Sequence, residues 1–251
     1  MAKPAKTDRQ AVIEEMRKKQ KSADRRRGTV IVTVCVLAAL GIVAAAVVPI
    51  LLDKREDSKL DSVALDKIGA AASTCEKVTT KPADGNQQHV PVDTPVDYPD
   101  APPAFGAHWN QAGLAPAAFS RKFYTAEDRP ALEALVHNLE HGYTILWYDD
   151  TIANDPKALD DVKAIARKFD GSDDLRDKFI AAPWTSEDEN GAKIPGGKHV
   201  AFTHWSAGGN GETDTTKQVG AFQYCSGVSG DALSSFMDEY PYTDSPEPGA
   251  M

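Results

Sequence analysis

The segment His137-Asn138-Leu139-Glu140-His141 carries the densest chemistry in this 251-residue chain. On a helix, residues four apart lie on one face, so His137 and His141 would offer two imidazoles to a single ion, as zinc requires. Inverted zinc peptidases use the same H-x-x-E-H spacing. Such an enzyme also needs a third protein ligand, an open position for water and a carboxylate placed as general base. Gly142 directly after His141 ends the helix where a peptidase helix would run on, so a metal-dependent hydrolase is the lesser expectation.

A non-catalytic metal site asks for less. His108 sits on the loop Pro102-Pro103-Ala104-Phe105-Gly106-Ala107-His108, which can fold back onto the helix face bearing His137 and His141. Three imidazoles suit zinc or copper. The plainer expectation ranks first: the three histidines hydrogen-bond backbone and carboxylates while Glu140 caps loop amides. On that reading the chain needs no cofactor and has no catalytic residue. His199 and His204 lie in or beside an expected strand and read as packing residues. His89 stands in a Pro-rich stretch with nothing in its spacing to connect it to the others. There is no Gly-x-Ser-x-Gly elbow, Walker loop or dinucleotide glycine pattern.

The elements that must position these residues follow from pattern. Residues 129–141 read as a helix, with Pro130 in its first turn and Leu132, Leu135, Val136 and Leu139 on one stripe. That stripe lies opposite the histidines, which places them on an open face. Residues 143–148 (YTILWY) read as a buried strand. A second helix spans 156–169, capped by Asp155, with Leu159, Val162, Ile165 and Phe169 inward. Residues 198–206 suggest another strand and 231–240 a closing helix. Six prolines between 81 and 103 forbid a long helix there. The fold expected is α+β, with one small sheet, mixed or antiparallel.

Charge divides the chain. Residues 1–27 carry ten Lys/Arg against four Asp/Glu, residues 28–52 carry none, and residues 53–251 carry eighteen against thirty-three. A run of 25 uncharged residues rises about 37 Å as a helix, enough to cross a hydrocarbon core of about 30 Å. The expected organisation is a basic cytoplasmic segment (1–27), a transmembrane helix (28–52), a stalk (53–74) and one extracytoplasmic domain (75–251), oriented by the positive-inside rule. Thr7 and Gln10 have capping-box spacing, and Val12, Ile13 and Met16 form a short apolar patch suited to the inner leaflet. A cleaved signal sequence ending near Ala46 is the alternative, disfavoured by the long basic region. An acidic outer domain without a basic run excludes a nucleic-acid surface. Cys35 lies within the apolar run, which leaves Cys75 and Cys225 as the pair for a disulfide outside the cytoplasm.

Several pieces together resemble an uncharacterised domain of actinobacterial single-pass membrane proteins. They are Pro102-Pro103 with Gly106 and His108, then HNLEHG from His137, then VAFTHW from Val200, and FMDEYPYTDSPEP from Phe236. Two places depart from that pattern: His204, where a small residue is expected, and Ala104-Phe105. The resemblance implies an extracytoplasmic accessory domain without an activity that transfers to residues. Some similar proteins accompany the cytochrome bcc–aa3 respiratory supercomplex, so the partners implied are the bilayer and subunits of a membrane complex.

Overall fold

The structure, a computed structural model, describes residues 8–83 and 87–250. The chain divides into two units, residues 1–58 and 59–251, each described by itself.

A single helix, α1 (Asp8–Ser62), accounts for the first unit. Val30, Leu37, Leu40 and Ile42 are each at least 60% exposed, and the Val12, Ile13 and Met16 patch is open as well. Leaving apolar surface in water costs about 25 cal/mol per Å². The helix is long and apolar enough to cross a membrane. Thr7, the expected cap, lies outside the described residues. Beyond Ser62 the chain does not remain a free stalk. Short 3-10 turns at Leu65–Lys67 and Ala72–Thr74 bring Ile68 into the core, and Ala70 N donates to Val228 O at 2.7 Å.

The second unit is α+β. In chain order its elements are β1 (Thr79–Pro82), β2 (His89–Val90), β3 (His108–Trp109), α2 (Leu132–Glu140), β4 (Thr144–Tyr148), α3 (Asp150–Ala153), α4 (Pro156–Arg167), β5 (Phe179–Pro183), β6 (Val200–Ser206), β7 (Val219–Cys225) and α5 (Gly230–Glu239). The main sheet is mixed, in the order β1-β7-β6-β4-β5. Only β4 and β5 run parallel, and the stretch through α3 and α4 that joins them supplies the crossover such a pair needs. The other neighbours in the sheet are antiparallel.

Both faces of the sheet are covered, which explains why β4 is apolar at nearly every position. Leu146 and Tyr148 pack on one side with Val162 and Ile165 of α4 and Leu233 and Phe236 of α5. Ile145 and Trp147 point the other way, toward Leu132, Leu135, Val136 and Leu139 of α2; side chains in a strand alternate between faces. Asp155 caps α4, accepting from the amides of Lys157 and Ala158.

The helix α2 is shorter than its pattern suggests, because Arg129 belongs to a turn on Thr125 and Ala131 is still extended. It stops where expected. Gly142 has φ +91°, and a Cβ there would collide with the Tyr242 carbonyl and Ser245 Oγ. The expected open histidine face is a correction: nearly all of α2 is buried. A layer of irregular chain, residues 87–131, lies over it, clamped by Asn138, which accepts from Ala117 N at 2.8 Å and donates to Ala117 O at 3.0 Å. Glu133 accepts from Val96 N at 3.1 Å in the same layer. Periodicity shows where a helix meets its sheet and says nothing of a second, aperiodic cover.

Cys75 and Cys225 form a disulfide across a sequence separation of 150. Cys35 is free and exposed.

Lys178 fastens the C-terminal segment. Its ammonium, almost fully buried, donates to the carbonyls of His141, Pro248 and Ala250 at 2.7, 2.8 and 2.7 Å. Burial pulls its pKa down to about 8, while the three carbonyl acceptors favour the charged form. Lys178→Met would leave those carbonyls without their donor. We expect a loss of about 3 kcal/mol in urea unfolding, the scale of hydrogen bonds to a charged group. A loss below about 1 kcal/mol would show that the segment is held by other contacts.

Candidate metal centre

Two elements bring the ligand atoms together. α2 supplies His137 and Glu140, three residues apart on one face. The parallel ribbon β2–β3 supplies His89 and His108, which are register partners and so project side by side. Their ring centroids are 4.9 Å apart, and the His137 ring lies 4.9 Å from His108 and 5.3 Å from His89. All three rings converge on one carboxylate oxygen. Glu140 Oε2 is 2.9 Å from His108 Nε2, 3.5 Å from His89 Nε2 and 3.9 Å from His137 Nε2. The four ligand atoms all lie within 4.8 Å of one another, and a metal ion could be held among them. With bonds of about 2.1 Å, a tetrahedral zinc site separates its ligand atoms by about 3.4 Å, a spacing that the observed distances bracket.

The orientation of the rings is set by backbone. His108 Nδ1 donates to Gly106 O at 2.8 Å and His137 Nδ1 to Trp109 O at 2.7 Å. A carbonyl only accepts, so both rings carry their proton on Nδ1 and turn Nε2 inward. Metal-ligating histidines are held in this way by their outer nitrogen. His89 differs: it is the exposed member, and its Nδ1 faces the Asn110 side-chain amide at 3.2 Å. A half-turn of that amide presents its oxygen and allows His89 to direct a lone pair inward. A chain of polar groups supports the carboxylate. Trp205 Nε1 donates to Gln218 Oε1, Gln218 Nε2 to Gln87 Oε1, and Gln87 Nε2 to Glu140 Oε1, at 3.1, 2.9 and 3.0 Å.

Family comparison covers this region. The model described as "Protein of unknown function (DUF3105)" matches residues 89–251. The chain belongs to the DUF3105 family. The matched segment holds His89, His108, His137 and Glu140 together with Cys225, while Cys75 precedes it. No curated protein and no solved structure matches the chain.

Electrostatics in the DUF3105 domain favour a neutral His137 beside an ionised Glu140. Burial, reinforced by the neighbouring His141 and His108, lowers the His137 pKa to about 4. Burial opposes ionisation of Glu140, yet the hydrogen bond and charge of His108 and the hydrogen bond from Gln87 outweigh it and hold the carboxyl at about 2. His137 Nε2 therefore bears a lone pair at neutral pH, facing a carboxylate oxygen beyond hydrogen-bond reach.

Of the residues singled out in the sequence, His108 and His137 belong to this group. His141 lies one step further along α2, its ring 4.4 Å from that of His137, and faces Glu247 across 3.6 Å. His89 is the ligand that spacing did not point to; only the β2–β3 register places it. Glu140 turns inward instead of capping loop amides. His204 is fully buried between the carbonyls of Tyr143 and Asp244, and His199 pairs with Asp149 at 2.9 Å, both outside the group.

Proposed function

We propose that this DUF3105 protein is a membrane-anchored metal-binding domain that holds one first-row transition-metal ion, zinc by preference and copper as the alternative, on His89, His108, His137 and Glu140. One observation carries the reading: His108 and His137 are both fixed through Nδ1 by backbone carbonyls, so their Nε2 atoms meet at the buried Glu140 carboxylate. A purely structural cluster leaves the His137 lone pair opposed to that carboxylate. A cation between them turns the repulsion into two bonds.

Metal analysis of the full chain, purified in mild detergent without chelator, tests this. At least one equivalent of metal is expected per chain, with about one equivalent lost in His108→Ala and none in His199→Ala. A metal-free protein that also fails to take up zinc at micromolar concentration would overturn the reading.

The domain lies outside the cytoplasm in this proposal, with residues 1–27 inside and residues 28–52 spanning the bilayer. The confinement of positive charge to residues 1–27 supports that orientation, and the disulfide suits an oxidising compartment. A reporter fused after residue 251 should be active only outside the cytoplasm; cytoplasmic activity would reverse the topology.

A second reading makes the protein an accessory or assembly subunit of a membrane complex, the cytochrome bcc–aa3 supercomplex by resemblance. Gly41, Ala44, Ala45 and Ala46 favour it, since small residues let membrane helices approach closely. Identification of the proteins that co-purify in mild detergent tests it, and isolation of the chain alone would defeat it.

A further inference from the structure

We infer that the centre is dinuclear, with a second divalent cation held by His141, Glu247 and Glu140, and Glu140 bridging the two ions. The inference rests on the metal-binding reading above and extends it. Glu140, His141 and Glu247 offer one ligand atom each, all within 4.8 Å of one another. Glu140 is common to both groups, and its two oxygens have separate surroundings, Oε2 among the imidazoles and Oε1 beside Gln87.

The independent observation is His141. Its side chain is 94% buried. Nδ1 has no hydrogen-bond partner among the described residues, and Nε2 has Glu247 Oε2 at 3.6 Å, outside hydrogen-bond range. Buried nitrogens are seldom left without a partner, and an ion at Nε2, the nitrogen that faces Glu247, would supply one there; Nδ1, on the other edge of the ring, is not reached by it. A bond of about 2 Å to each of His141 and Glu247 fits across that gap with little movement.

Glu247 is placed for the task. Its amide donates to Glu140 O at 2.9 Å, and Lys178 pins the carbonyls of Pro248 and Ala250 just beyond it. The Lys178 ammonium opposes a cation nearby, but it is drawn onto the backbone oxygen of His141 rather than the ring. Two carboxylates then serve two ions, at a separation on the order of 4 Å, as in other two-metal sites. Three protein ligands, one of them half exposed, make this the weaker and more open position.

Equilibrium dialysis of the full chain in mild detergent against zinc tests the proposal. Wild type is expected to bind two equivalents, the second more weakly. In Glu247→Gln and in His141→Ala the weaker affinity should fall at least tenfold while the tighter equivalent remains. Glu247 is a half-exposed side chain, so its variant retains the fold. One equivalent in wild type and in both variants would overturn the second position and leave the first intact. No zinc retained by any of the three proteins would overturn the single-metal reading, and this inference with it.

Discussion

On the proposed metal-binding function, chelation is expected to lower the melting temperature of this protein by roughly 10 °C. A ligand present at about 1,000 times its dissociation constant stabilises the folded state by about 4 kcal/mol. In a domain of this size each kcal/mol moves the midpoint by about 2–4 °C. A metal held there would be well placed to act on stability, because the candidate ligands come from β2, β3 and α2 and would tie the irregular layer to the helix beneath it. Without the ion, His137 and Glu140 keep their burial and lose the cation between them. The control is His137→Ala, whose melting should be lower than wild type and insensitive to chelator. A wild-type midpoint that chelator does not move would remove the metal from any structural role.

Loss of the Cys75–Cys225 disulfide is expected to cost up to about 5 kcal/mol. The loop-entropy model gives this figure for closure of about 150 residues, and measured values are usually smaller. The bridge closes most of the second unit into one loop. Cys225 is fully buried at the end of β7, among Ile68, Val228 and Leu233, so the bond also holds the entry of the chain against the core. Urea unfolding of the double variant Cys75→Ala, Cys225→Ala measures the effect. A change below about 1 kcal/mol would show that β1 and the 3-10 turns hold the entry without it.

The parts of this fold with a strong period were legible in the sequence. α4 begins at its Asp155 cap and buries Val162 and Ile165, with Leu159 half-buried and Phe169 buried just past the helix end at Arg167, and β4 and β6 lie within a residue or two of where their apolar runs placed them. β5 and β7 were missed. β5 reads FIAAP, with two alanines and a proline in place of β-branched residues, and β7 interrupts its apolar residues with Gly220 and Gln223. Their strand character comes from neighbours already in the sheet. At the candidate centre, helix spacing pointed to His137 with His141, whereas Glu140, read as a cap for loop amides, stands in the group with His137 in place of His141. His89 could not be read from spacing, since what brings it to the others is a two-residue parallel ribbon with no turn signal of its own. Burial of the α2 histidines was illegible for the related reason that the chain covering them has no repeat.

The ligand set is scattered from residue 89 to residue 140, on three separate elements. A short peptide loop that chelates on its own can capture an ion while the chain is still emerging. This set cannot, since His89 and His108 meet α2 only after the covering layer has folded onto it. On the proposed metal-binding function, the identity of an occupant would be decided late, by whichever metal pool surrounds the chain when it folds. The same sequence folded in two compartments would be expected to carry two different metals.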